Sequence, residues 1–458
     1  MHDVQRDDDR APSAPSTPTA PSMARLAAAS MVGTAIEFFD FFVYGTAAAL
    51  VLGPLFFPTF SPLVGTLAAF GTFAAGFISR PLGAMLLGPL GDRHGRRPVL
   101  IASLLLTGVA TVAVGFVPTY DTIGVAAPAL LLTLRFLQGL GLGGEWGGAV
   151  LLTVEHAPAG RRGLWSGFPQ VGPAIGFLLA NGTMLILSAT LSDAAFRSWG
   201  WRVPFWGAGL MVAAGLLLRT QLPESPRFRE LAERDERAAA PLAEVARGHW
   251  RLVLLTAGGL AVGYAVFYAV TTWSLAYGTE RLGVDRTVML GCIMAAVAVM
   301  GALTPLAAHL GDRFGRRPLC LLGCAATVVW MFPLIALLRT GEPPLMFLGY
   351  LGALLAFITM FAVTSAYLPE LYEPRVRCTG AGVGYNLAGV LGGALTPIVA
   401  TAVSRGDGPP WGVALYLTAV ALLSLGCFAL LPDTRPTADR PAGGRSAVRP
   451  LEAGEALS

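Results

Sequence analysis

GPLGDRHGRRP, residues Gly88–Pro98, returns 220 positions later as AHLGDRFGRRP, residues Ala308–Pro318. Each copy sets one aspartate and three arginines between long apolar runs: Asp92 with Arg93, Arg96 and Arg97, then Asp312 with Arg313, Arg316 and Arg317. Gly95 and Gly315 suit a positive-φ or close-approach position in a tight turn between helices. Arginines beside an apolar run mark the cytoplasmic side of a bilayer. One copy would be an ordinary charged turn, but two indicate a duplicated half.

Around these loops the chain is strongly apolar: 54% of its 458 residues are hydrophobic and 13% charged, with a mean hydropathy of +0.62. A soluble chain carries roughly 25% charged residues, so a polytopic membrane protein is expected. There is no lysine at all. A Walker A phosphate loop needs one, so transport driven by the chain's own ATP hydrolysis is excluded. The net charge of +4 comes from loop arginines and implies no nucleic-acid partner. The cysteines (Cys292, Cys320, Cys324, Cys378, Cys427) lack metal-ligand spacing, and neither a metal nor a cofactor is expected.

Twelve runs are long enough to cross a bilayer, which takes about 20 residues. In the first half they are 26–51, 63–90, 98–117, 127–154, 163–188 and 199–219. In the second they are 252–275, 287–308, 318–338, 345–368, 379–403 and 410–431. The loops sharing a side with the two GDR stretches carry most of the arginines, which makes both termini cytoplasmic. Six spans separate the stretches, so the repeat is parallel, with its pseudo-two-fold along the membrane normal. The expected organisation is a disordered tail (1–24), a six-helix bundle (25–220), a polar linker with a surface helix (221–250), a second bundle (251–431) and a second disordered tail (432–458).

Ionisable groups inside spans are costly and therefore functional candidates. The first span holds Glu37 and Asp40 on one face, the second Arg80, and the fourth Arg135, Gln138 and Glu145. The second half offers only neutral groups deep in its spans: Tyr264 and Tyr268 one turn apart, Tyr367, and Tyr385 beside Asn386. All five histidines fall in tails, loops or span ends, so proton coupling would have to use carboxylates. Desolvation and a neighbouring cation push a buried carboxylate's proton affinity in opposite directions, and covering or uncovering the cation switches it. Asp40 and Arg135 come out about 3 Å apart in depth, which makes them the favoured coupled pair, with Glu37 nearby. Glu145 lies about 15 Å deeper than Arg135, as a second candidate on the cytoplasmic side. The competing reading is structural: Asp40–Arg135 as a fixed ion pair, Arg80 as a brace for the GDR loop, and the tyrosines as interhelical packing.

Together the two GDRxGRRP loops and RFLQGLGLGG (Arg135–Gly144) resemble the signatures of the major facilitator superfamily. GTAIEFFDFFVYG (Gly33–Gly45), ISRPLG (Ile78–Gly83), GGEWGGA (Gly143–Ala149), SWGWRVPF (Ser198–Phe205) and LPESPRF (Leu222–Phe228) narrow the resemblance to its metabolite:proton symporters. That branch carries organic acids, shikimate-type compounds, proline and betaines. The resemblance implies an all-α fold of twelve transmembrane helices in two pseudo-symmetric six-helix bundles. It also implies a role in proton transfer for Arg135, and a cytoplasmic latch built from Asp92, Asp312 and their arginines. Two departures stand out: Phe38 and Phe39 occupy positions where the family often has a Trp–Tyr or Trp–Phe pair, and Ala308 replaces a glycine, which should loosen its turn.

The function so implied is proton-coupled uptake of a small polar metabolite, an organic acid or shikimate-like compound, by a non-enzymatic monomer in the plasma or inner membrane. Its partners are the substrate, protons and lipid. Proton coupling falls to Asp40, Glu37, Arg135 and Glu145, and substrate binding to Arg135, Arg80, Gln138, Tyr264, Tyr268, Tyr385 and Asn386. The alternatives are an efflux antiporter, to which GPAIG (Gly172–Gly176) points, and a non-transporting membrane sensor.

Overall fold

Every regular element among the described residues is helical, as a bilayer demands of a chain that must satisfy its backbone hydrogen bonds within each span. The computed structural model describes residues 23–144, 150, 153–154, 156–158, 160–220, 240–404 and 408–434. Eleven helices among them are long and apolar enough to cross a membrane. They are α1 (Leu26–Phe56), α2 (Leu63–His94), α3 (Arg97–Val114), α4 (Ala126–Gly143), α5 (Arg162–Thr190), α7 (Trp250–Glu280), α8 (Arg286–Phe314), α9 (Arg316–Leu338), α10 (Pro343–Leu371), α11 (Arg377–Val403) and α12 (Trp411–Leu430). The remaining span is α6 (Val203–Thr220), which packs on α1 and α3 and completes the twelve.

Packing repeats with the sequence. In the first half α1 packs on α5 and α6, α2 on α4, and α3 on α4 and α6; in the second, α7 packs on α11 and α12, α8 on α10, and α9 on α10 and α12. The halves meet along α2–α11 and α5–α8, which are also equivalent pairs. Glycine sets the tightest contacts. A Cβ at Gly83 would stand 2.0 Å from the Leu140 carbonyl oxygen, and one at Gly139 would stand 2.1 Å from that of Gly76. The α2 and α4 backbones therefore touch directly, as small residues allow in a membrane.

The GDR stretches are not loops. Helices α2 and α8 continue through them to His94 and Phe314, and a single glycine at φ 107° (Gly95) or 95° (Gly315) turns the chain into the next helix. Asp92 and Asp312 thus stand on the last helical turn. Ala308 loosens nothing: its buried side chain fills space against Gly167.

Among the described residues three helices contain a π-turn: α1 at Ala48–Leu52, α7 at Ala269–Trp273 and α11 at Gly389–Ala394. The offset that relates the GDR stretches maps the first to within one residue of the second. The expected surface helix is Pro241–Gly248, with Val245 buried and Glu244 bonded to Arg375 at 2.8 Å. Residues 1–22, 221–239 and 435–458 lie outside the described residues. Pro432 and Thr434, among the first residues of the stretch expected as a tail, are tied to α10. Tyr367 Oη donates to the Pro432 carbonyl at 2.6 Å, and Thr434 Oγ1 donates to Glu370 Oε2 at 2.6 Å.

Candidate functional site

Two sites stand between or beside the halves: a charged aromatic core next to a cavity, and a gate at the GDR end.

Arg135 is fully buried in α4. Its guanidinium lies 4.3 Å from the centre of the Phe41 ring, 4.2 Å from Tyr44 and 5.0 Å from Phe73. Gly76 makes room for it, since a Cβ there would sit 2.7 Å from Arg135 Nε. Nη1 donates to Gln138 Oε1, and Gln138 Nε2 in turn donates to Thr111 Oγ1 at 2.6 Å. Asp40 of α1, also fully buried, lies within electrostatic range of Arg135. Arg80 reaches the same place from α2, 4.2 Å from the Phe41 ring and 4.8 Å from Phe77. Arg80 Nε and Arg135 Nε and Nη2 meet no hydrogen-bond acceptor among the described residues. Ring contacts of this kind contribute about 2 kcal/mol when desolvated, well short of replacing the hydration of two guanidinium groups. The core is poised for another acceptor.

Next to it is a cavity between the halves. Phe38 and Phe42 of α1, Gln170 of α5, Thr304 of α8, Phe361 of α10 and Tyr385 of α11 line it, together with Tyr264, Phe267 and Tyr268 of α7. Three of the expected binding residues, Tyr264, Tyr268 and Tyr385, are therefore on its wall. Arg80, Arg135, Gln138 and Asn386 are not. The arginines stand behind Phe41 and Phe77, whose rings pack against Tyr268 at 6.0 and 5.2 Å. Tyr268 bridges the two regions, within electrostatic reach of both arginines. Asn386 instead ties the halves together: its Nδ2 donates to the Gly143 carbonyl of α4 at 3.0 Å. Gln170 was missed as a wall residue. Its Nε2 donates to the Phe361 carbonyl across the interface at 3.3 Å, and only its polarity within an apolar run could have pointed to it.

Glu37 departs most from expectation. It pairs with Arg219 of α6, both side chains buried, and Arg219 Nη1 also donates to the Leu100 carbonyl at 2.6 Å. Arg219 is the last residue of the expected sixth span, and the packing of α6 on α1 sets it against Glu37. Glu145 lies outside the described residues. Gly172 and Gly176 are needed for packing, since a Cβ would fall 2.7 Å from Thr34 Cβ or 2.6 Å from the Ala35 carbonyl oxygen.

At the GDR end each aspartate caps a helix of the opposite half. Asp92 Oδ2 accepts from Thr379 N at 3.1 Å and Thr379 Oγ1 at 2.6 Å, at the start of α11. Asp312 Oδ1 and Oδ2 accept from Gly163 N at 2.8 Å and Leu164 N at 2.9 Å, at the start of α5. Carboxylates there satisfy orphan N–H groups and meet the positive end of the helix dipole. The latch arginines Arg97, Arg316 and Arg317 brace their own half. Arg97 donates to the Thr220 carbonyl at the end of α6, Arg317 to the Phe428 and Ala429 carbonyls at the end of α12, and Arg316 bridges Asp312 (3.3 Å) and Glu370 (2.9 Å). Arg93 and Arg313 are exposed, and the Arg96 side chain lies outside the description. Chain direction explains this: the arginines sit at helix ends already packed against their own bundle.

Comparison with known proteins agrees with this architecture. The sequence profile of the Major Facilitator Superfamily matches residues 30–383 and 298–458. The chain is 43% identical over 418 residues to the inner membrane metabolite transport protein YhjE of Escherichia coli K12, covering 90% of this chain and 94% of that protein. It is 37% identical to the shikimate transporter (90% and 95% covered) and 32% identical to the proline/betaine transporter (91% and 84%) of the same organism. Among solved structures, the xylose transporter XylE of E. coli in a partially occluded inward-open form superposes with a TM-score of 0.71 at 20% identity, over 90% of this chain and 98% of that one. That last likeness concerns the fold alone. The chain is thus a multi-pass membrane transporter of the major facilitator superfamily, not an enzyme, and belongs with the metabolite transporters related to YhjE and to the shikimate and proline/betaine carriers.

Proposed function

We propose that the protein is a proton-coupled symporter that takes up a small carboxylate-bearing metabolite by alternating access. The observation that carries this is the pair of buried guanidinium groups, Arg80 and Arg135, with unused N–H donors one aromatic layer behind the cavity. Movement of Tyr268, Phe41 or Phe77 would let a substrate carboxylate reach them bidentately. Arg135 would then be shared between substrate and Asp40, and withdrawal of the cation from Asp40 would favour its protonation. Substrate and proton thereby travel together. Glu37, committed to Arg219, serves the fold of the first half and leaves coupling to Asp40. The arginine-rich GDR end is the cytoplasmic side, with both termini there.

The test uses purified protein in liposomes under an inward proton gradient, with labelled succinate, shikimate, L-proline and glycine betaine. Wild type accumulates at least one of them. Asp40→Asn loses accumulation but still exchanges substrate across the membrane at zero gradient. Full accumulation by that variant would refute the coupling pair, and uptake only under the reversed gradient would make the protein an antiporter.

A further inference from the structure

A second pocket lies between the halves at the end opposite the GDR stretches, lined by Leu63 and Thr66 of α2, Thr401 and Ser404 of α11, and the outer end of α7. We propose that it is a vestibular binding site, which holds a small monocarboxylate metabolite outside the central cavity before it moves inward. The proposal rests on the transport reading above.

Helical register carries the argument. Tyr264 and Tyr268 line the central cavity one turn apart; Trp273, Tyr277 and Arg281 line the outer pocket, again one turn apart. The step from Tyr268 to Trp273 is five residues, which in an α-helix would rotate Trp273 off that face by more than 100°. The π-turn at Ala269–Trp273 takes up the additional residue. Tyr264, Tyr268, Trp273 and Tyr277 of α7, with Arg281 just past its end, therefore follow one another along one side from the cavity outward over roughly 25 Å. π-turns are rare and cost helix stability, and this one's consequence is that alignment.

The chemistry of the pocket selects its ligand. Trp273 and Tyr277 stack at 5.1 Å and 23°, and Trp273 Nε1 donates to Ser404 Oγ at 3.4 Å, so the aromatic floor is held in place. Arg281 supplies a guanidinium for a carboxylate, and Thr66 and Thr401 supply hydroxyls. Glu280 stands beside Arg281 in the same pocket. It would repel a second negative charge and would accept from an ammonium or hydroxyl group. A monocarboxylate or a zwitterion fits, whereas a dicarboxylate places one charge against Glu280. The wall of the central cavity itself carries no charged side chain.

The experiment is substrate protection. Thr66→Cys is labelled with a maleimide in detergent and followed at that position by peptide mass spectrometry, with shikimate, L-proline, glycine betaine or succinate present. At least one of the monocarboxylates slows labelling fivefold or more, succinate does not, Arg281→Gln abolishes protection, and Glu280→Gln lets succinate protect. Protection by none of them, or protection that survives Arg281→Gln, overturns the proposal. Both Arg281 and Glu280 are exposed, so their replacement leaves the fold intact. Protection without accumulation in liposomes would sink the transport reading and leave the vestibule standing. Accumulation without protection would do the reverse.

Discussion

Neutralising the two gate aspartates should open the GDR end to a similar extent, and the native Cys378 reports it. Each carboxylate accepts two hydrogen bonds from the first turn of a helix in the other half. Bonds to a charged group contribute about 1.5–3 kcal/mol each. Asparagine keeps an amide oxygen and loses the charge and the dipole interaction, so either Asp→Asn change weakens the closed state by about 1.5–3 kcal/mol. At about 1.4 kcal/mol per tenfold, the closed-to-open ratio falls roughly ten- to hundredfold. Cys378 is 4% exposed at the start of α11, with its sulfur 3.5 Å from where a Cβ would stand on Gly91 of the other half. Its reaction with N-ethylmaleimide should therefore accelerate by that same factor in Asp92→Asn and in Asp312→Asn. The two caps use different acceptors and different donors, so the double variant should show the product of the two effects. Cys320 and Cys324, fully buried within the second half, serve as internal controls in the same peptide map. An effect of Asp92→Asn alone would mean that the two caps hold the gate unequally. No effect from either would mean that the caps do not hold the gate.

Further outcomes follow from particular contacts. Gly163→Ala puts a Cβ 2.6 Å from Asp312 Oδ1 and 2.7 Å from the Ala308 carbonyl oxygen, so it should raise Cys378 labelling as Asp312→Asn does, without any change of charge. Arg219→Gln leaves the Glu37 carboxylate buried without its cation, a loss of about 3–5 kcal/mol. The melting temperature in detergent should fall by several degrees and recover in the Glu37→Gln, Arg219→Gln double variant. If the single variant melts like wild type, the pair is not structural.

Ionisable residues deep in spans are confined to the first half, but that unevenness does not reach the gate, where each aspartate needs only a helix N-terminus to cap. Both halves supply one. Arg219 and Glu37 show the converse: one sits at a span end and the other in a span centre, and nothing in spacing along the chain says that α1 and α6 bring them together.

The sequence by itself determined what local physics controls. Apolar runs must become membrane helices because the bilayer leaves backbone groups no other partner. The repeated Gly-Asp-Arg stretch announces duplication, and arginine with aspartate in apolar spans marks the buried charged core. Tertiary structure alone decided which groups meet across the interface. It placed the arginines behind the cavity wall and turned the two GDR aspartates into caps for the opposite half. It also kept the aromatic row of α7 along one side through a π-turn. Such a turn depends on what packs around the helix, and five-residue spacing in a sequence reads simply as a change of face.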